Sequence, residues 1–185
     1  MVRAFLDEVE SHARRFFSGH ECTVTAWDLG PTPQMFPDAR VLLFGPGPRT
    51  NHHVYVSVGA SLVRSDRHRE FVLCTRDVQS CHIETLAMIT YYHHTEGLDI
   101  GHTLPVGRPW RPGASCNCFL VSLPYPFGPD LENVKIDGHD VQFLWLMPIF
   151  ESESRLRHEK GLEALESLFD ANGVEYLDES REPVA

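Results

Sequence analysis

Lysine is nearly absent from this chain: 185 residues hold two, Lys135 and Lys160, and the formal net charge is −10. A nucleic-acid binder needs clustered cations to displace counterions from phosphate, so direct nucleic-acid binding is not expected. A phosphate-binding loop is missing for the same reason. Gly45-Pro46-Gly47-Pro48 is glycine-rich, but its prolines remove backbone donors and no lysine follows. Long apolar runs are missing too. A stretch such as Phe143–Phe150 is far too short to span a bilayer, so no membrane partner is expected. The first ten residues carry Asp7, Glu8 and Glu10 with no uninterrupted apolar run, so no signal peptide is expected. The five cysteines, Cys22, Cys74, Cys81, Cys116 and Cys118, are odd in number and mostly in strand-like stretches. That fits a reduced compartment better than a disulfide framework, and the expected location is the cytoplasm.

The signatures of common catalytic and metal sites are also absent. There is no His-Glu-x-x-His and no Cys-x-x-Cys. Val56–Ser61, Val-Ser-Val-Gly-Ala-Ser, lacks the Gly-x-Ser-x-Gly spacing of a nucleophile elbow. Eleven histidines include the adjacent pairs His52-His53 and His93-His94, with His102 near the second pair. Neighbouring side chains on a strand or helix point in different directions, so neither pair chelates alone. Cys116 and Cys118 share a strand face, where zinc would need two ligands from elsewhere; packing of two small apolar side chains explains the spacing better. No catalytic residue, cofactor or metal ligand is assigned.

What the chain does contain is a mixture of helix and strand signals. Val2, Phe5, Leu6, Val9, Ala13, Phe16 and Phe17 recur at three- and four-residue spacing, which predicts an amphipathic N-terminal helix. Strands are expected at Cys22–Trp27, Arg40–Phe44, His53–Val58, Glu70–Thr75 and Cys116–Leu123. The alternation within His53–Val58 predicts a half-buried strand. A central helix over Gln79–Thr95 has a candidate inward stripe of Ile83, Leu86, Ala87, Thr90, Tyr91 and His94. Asp137-Gly138 suits a type I′ turn between strands at Val134–Ile136 and Val141–Met147. C-terminal helices follow over Ser152–Glu159 and Gly161–Ala171, with Asn172-Gly173 as a left-handed cap. The expected architecture is a single α+β domain over residues 1–185, with a mainly antiparallel sheet packed against helices.

Charge is unevenly placed. Met1–Ile136 holds 14 acidic and 12 basic residues, whereas Asp137–Ala185 holds 12 acidic and 4 basic. Such a C-terminal quarter steers a basic protein partner, or else serves only solubility. Candidate partner-binding residues are Trp110 and Arg111, in an Arg-Pro-rich loop expected at the surface, and Glu151 and Glu153. An exposed Trp flanked by arginines is a hot-spot composition; the same Trp folded back would cover a sheet. The two glutamates could act as acid and base, or simply meet the dipole of a helix N-terminus.

The order of these pieces resembles the suppressor-of-fused (SUFU) domain family. His53–Ser61 is similar to its "T/S-V-G-x-S" strand, Glu70–Leu73 to its "E-x-V-L" strand, and Gly101–Pro109 to its "G-x-x-L-P-x-G-x-P" loop. Phe143–Glu153 resembles the "L-P-I-x-x-S/A-E" segment, and Asp178–Arg181 the closing acidic stretch with its arginine. The resemblance implies a non-catalytic protein-binding domain. Eukaryotic members carry it at the N-terminus of a longer protein that clamps a peptide strand of a transcription factor. Stand-alone domains of this size are typical of bacterial members, many of which look like immunity proteins against polymorphic toxins. The expected partner is therefore another protein, with a basic toxin as the leading case. Alternatives are a small metal-dependent hydrolase built on the loops around His93, His94 and His102, and a module that captures peptides by strand addition.

Overall fold

The computed structural model describes residues 2–64 and 66–185. The chain gathers into two compact units: Met1–Leu98 with Leu123–Trp145, and Asp99–Ser122 with Leu146–Ala185. The first unit contains α1 (Val2–Phe16), β1 (Cys22–Thr25), the short α2 (Thr32–Met35), β2 (Arg40–Phe44), β3 (His53–Val58), β4 (Arg69–Thr75) and α3 (Ser80–Glu96). The second opens with β5 (Thr103–Pro105) and β6 (Cys118–Ser122). The chain then adds α4 (Pro129–Glu132) and β7 (Asn133–Ile136) to the first unit. β8 (His139–Ile149) begins in the first unit and ends in the second, followed there by α5 (Glu151–Lys160) and α6 (Leu162–Asn172).

The class is α+β with mainly antiparallel strands. In the first unit the order is β1-β2-β3-β4-β8, and β7 also pairs with β8. The pairing of β4 with β8 is parallel, the others antiparallel. The long chain segment between β4 and β8 explains this, because a parallel pair needs a crossover where an antiparallel pair needs only a hairpin. The β7–β8 hairpin turns on Asp137 and Gly138 at φ +48° and +81°, the positive pair that a type I′ turn demands. In the second unit β5 lies antiparallel to β6.

β3 is not half-buried, as its alternation suggests. Val54, Tyr55, Val56, Ser57 and Val58 are all buried. Helices cover both faces. Phe44, opposite Val54, stacks on Phe17 at the end of α1 with centroids 4.7 Å apart, while Tyr55 on the other face meets His82 of α3 at 5.0 Å. A strand between two helix layers reads as polar on one face only where a buried polar group has a local partner.

Four other expectations are corrected. The first strand ends at Thr25, not Trp27, and residues 32–35 form α2 within Gly30–Pro37, a Pro/Gly-rich stretch whose composition predicts a loop. β8 runs through Pro148 to Ile149, because the fixed φ of proline fits extended backbone. The inward stripe of α3 is rotated: His82, Thr85, Leu86, Ala87, Ile89, Thr90 and His93 are buried, while Tyr91 is exposed. His93 explains the rotation. Its Nε2 lies 3.2 Å from the Arg67 carbonyl, and its Nδ1 accepts the Leu98 N–H at 2.9 Å. These two bonds satisfy an imidazole that apolar counting would leave outside.

One buried carboxylate organises the end of the β3–β4 pair. Glu70 accepts Ser57 Oγ at 2.5 Å, Gly59 N at 2.9 Å, Ser61 N at 3.1 Å and Ser61 Oγ at 2.6 Å. Ser57 Oγ in turn accepts the Phe71 N–H at 2.8 Å. Gly59 sits at φ +124°, and a Cβ there would meet Ala39 Cα and Cβ at 3.0 Å, so any other residue is strained. Burial pushes the Glu70 carboxyl above its ordinary range, against the hydrogen bonds, which favour the charged form.

Candidate protein-binding surface

The four residues singled out from sequence all fall in the second unit. Trp110 is only 8% exposed, so of the two readings open for it the ring folded back over a strand is the one found. It packs edge-on against Phe119 of β6 at 5.2 Å, since covering a large ring against a strand removes more apolar surface from water than leaving it in a loop. Arg111 is engaged too: its Nε donates to the buried Glu179 carboxylate at 2.5 Å. Glu153 is fully buried, not a surface acid. It accepts Arg181 Nη1 at 2.6 Å, Arg181 Nη2 at 2.8 Å, Phe150 N at 3.0 Å and Val184 N at 3.1 Å. The Arg181 guanidinium lies over the rings of Phe150 and Phe169, at 5.0 and 5.6 Å. A buried ion pair persists only when every charged atom is bonded in this way. Of the four, Glu151 is left exposed at the start of α5, with its N–H donated to Asn117 Oδ1 at 3.0 Å.

The two internal pairs, Arg111–Glu179 and Arg181–Glu153, strap the C-terminal segment onto the second unit. The Glu179 carbonyl adds a bond from Ser115 N at 2.8 Å. Outside these pairs the second unit keeps nine acidic and four basic side chains, a net charge of −5. Three of these nine acids lie on α6. Glu163, Glu166 and Asp170 follow i, i+3, i+7 spacing along α6; Glu163 and Asp170 are exposed, while Glu166, one turn before the buried Phe169, is half-buried. Burial first, and then the charges of Asp170 and Glu166, push the Tyr176 phenol up. A basic partner would meet a preformed negative stripe here.

The same unit contains the arrangement nearest to a hydrolytic one. Ser154 Oγ donates to Thr103 Oγ1 at 2.9 Å, which lies 3.0 Å from His158 Nε2. This chain opens on a groove of about 540 Å³ beside Asn117 and Cys118. On its other side His158 Nδ1 faces the Arg157 guanidinium at 3.5 Å, where a triad needs a carboxylate. The arrangement holds α5 to β5; it does not activate a nucleophile. Burial pushes the Cys116 thiol up to about 12 and raises Cys118 as well, so neither is a ready thiolate. Of the histidines, His93 is occupied internally, and His94 Nδ1 lies 3.0 Å from the Val63 carbonyl. Among the described residues no three His, Cys, Asp or Glu side chains gather as a metal would require, and no helix is long and apolar enough to cross a membrane.

The family model for the suppressor of fused protein (SUFU) matches residues 37–182. The chain belongs to the SUFU family. Its fold agrees with solved members. A SUFU homolog from Neisseria gonorrhoeae FA 1090 is 33% identical, with a TM-score of 0.87 over 99% of this chain and 98% of that one. The crystal structure of a Sufu–Fu complex matches at a TM-score of 0.74 and 14% identity, over 97% and 91%. Drosophila Suppressor of Fused matches at 0.57 and 13%, over 88% of this chain but 42% of its own. No curated protein sequence matches. The SUFU motif pieces turn out to be structural. Glu70 of "E-x-V-L" binds Ser57 of the preceding strand and Gly59 and Ser61 just after it, and Glu153 of "L-P-I-x-x-S/A-E" binds the closing Arg181. Sequence reading located these residues but not their partners, 13 and 28 positions away. The α6 stripe was visible as charge yet not as a face.

Proposed function

We propose that this SUFU-family chain is a non-catalytic protein-binding domain whose partner is basic, and that its role is to neutralise a basic toxin by masking it. The observation that carries the reading is the acidic stripe Glu163, Glu166 and Asp170 on α6, set on a unit whose two buried acids are already neutralised by arginine. A relative's capture in a Sufu–Fu complex supports protein binding as the family's mode of action. Negative charge presented on a rigid helix speeds encounter with a positive surface and sets specificity.

The test is affinity capture from the native host at low and high salt, beside a variant carrying Glu163→Lys, Glu166→Lys and Asp170→Lys. A basic protein retained at low salt, weakened at high salt and lost with the variant supports masking, because the Debye length shrinks from about 10 Å at 0.1 M salt to about 3 Å at 1 M. Retention of the same partner by the variant sinks it. A second reading is peptide capture by strand addition, favoured by the exposed Thr23 and Val24 on edge strand β1. Binding that ignores salt would select it.

A further inference from the structure

The outer face of α3 is unlike that of the other long helices. Those of α1 and α5 are dominated by charge: Arg3, Asp7, Glu8 and Arg14 on one, Glu151, Arg155, Glu159 and Lys160 on the other. In its 17 residues α3 has no Lys or Arg, and its centre presents Met88, Tyr91 and Tyr92 at 45%, 36% and 43% exposure. At about 100° per residue, Tyr91 and Tyr92 lie within about 60° of Met88, which makes one continuous ridge. Protein interfaces are enriched in methionine and tyrosine, tyrosine because its ring buries much area at low entropic cost and methionine because its flexible thioether adapts to a partner's shape. The opposite face is spoken for by His82, Leu86, Ile89 and His93, so the ridge is not the residue of a failed core.

Its two formal charges say what fits on it. Glu84 and Glu96 are both exposed, one on each side of the apolar centre, and twelve helical residues separate them by about 18 Å. A second copy laid across the ridge would set Glu against Glu in either orientation, and like charges at a desolvating interface are repelled. We propose that this ridge docks an amphipathic helix of a partner protein, with an apolar centre flanked by Lys or Arg about 18 Å apart. The ridge belongs to the first unit and owes nothing to the acidic stripe on α6.

The probe is a synthetic helix with a leucine face and a lysine near each end, titrated against the whole chain and followed by amide chemical shifts. Binding that perturbs α3 amides, and that weakens about tenfold or more in Met88→Asp and in Tyr92→Asp, supports the proposal. Both positions are exposed, and an unchanged circular dichroism spectrum confirms that each variant folds. The α6 triple-lysine variant must bind the probe as the wild type does. Loss in that variant with indifference to Met88→Asp would overturn the α3 site while leaving the α6 reading in place. Equal binding of a probe with glutamates in place of lysines, absence of binding, or concentration-dependent dimerisation abolished by Met88→Asp would each overturn it as well.

Discussion

At the scale of single residues, two buried ionisable groups, His93 and Glu70, tie stability to hydrogen bonds made inside the fold. His93 must be neutral, because its Nδ1 accepts the Leu98 N–H, and burial holds it down at about 4 against an ordinary 6.5. The unfolded chain therefore takes up a proton between those values that the folded chain refuses. Stability should be full above about pH 6.5 and fall as pH drops toward 4, by at most about 3 kcal/mol. Urea midpoints across pH 4.5 to 7.5 measure this, and His93→Gln should flatten the slope. Glu70 is the second group. Glu70→Ala leaves the buried donors of Ser57, Gly59 and Ser61 without their acceptor and should cost about 3 kcal/mol or more. Glu70→Gln, which keeps the shape and half the acceptors, should cost clearly less in the same denaturation experiment.

At the scale of elements, the C-terminal segment behaves as a strap whose strength rests on two ion pairs. Removing Arg181 strands Glu153 as a buried charge. Arg181→Ala should lower stability by about 3–5 kcal/mol and expose the chain beyond α6 to limited proteolysis. A matched Glu153→Met, Arg181→Met double variant should recover much of that loss, since the pair's desolvation cost vanishes with it. If the single and double variants lose equal stability, the pair is not what holds the strap. Gly59 marks the other sensitive point. Gly59→Ala places a Cβ at 3.0 Å from Ala39 with φ at +124°, and should cost about 1–3 kcal/mol by the same measurement.

At the scale of the whole molecule, charge and core separate cleanly. Reversing Glu163, Glu166 and Asp170 changes two exposed positions and one half-buried one, so the melting temperature should shift by only a few degrees while binding to a basic partner fails. Much of this organisation was legible from residues alone. Periodicity placed α1, β2 and the β7–β8 turn, charge counting found the acidic C-terminal quarter, and motif order pointed to the family. Local spacing determines such features, because helix and turn preferences act over a few neighbours. Which face of α3 turned inward, that Trp110 and Glu153 were buried, and that β3 was covered on both sides were decided only by tertiary structure. Each depends on a partner that local spacing does not reveal: Tyr55 for His82 and Arg181 for Glu153 lie far along the chain, and Phe119 for Trp110 lies on the neighbouring strand β6. A buried polar or aromatic group is stable only where such a partner waits, and sequence distance carries no record of that meeting.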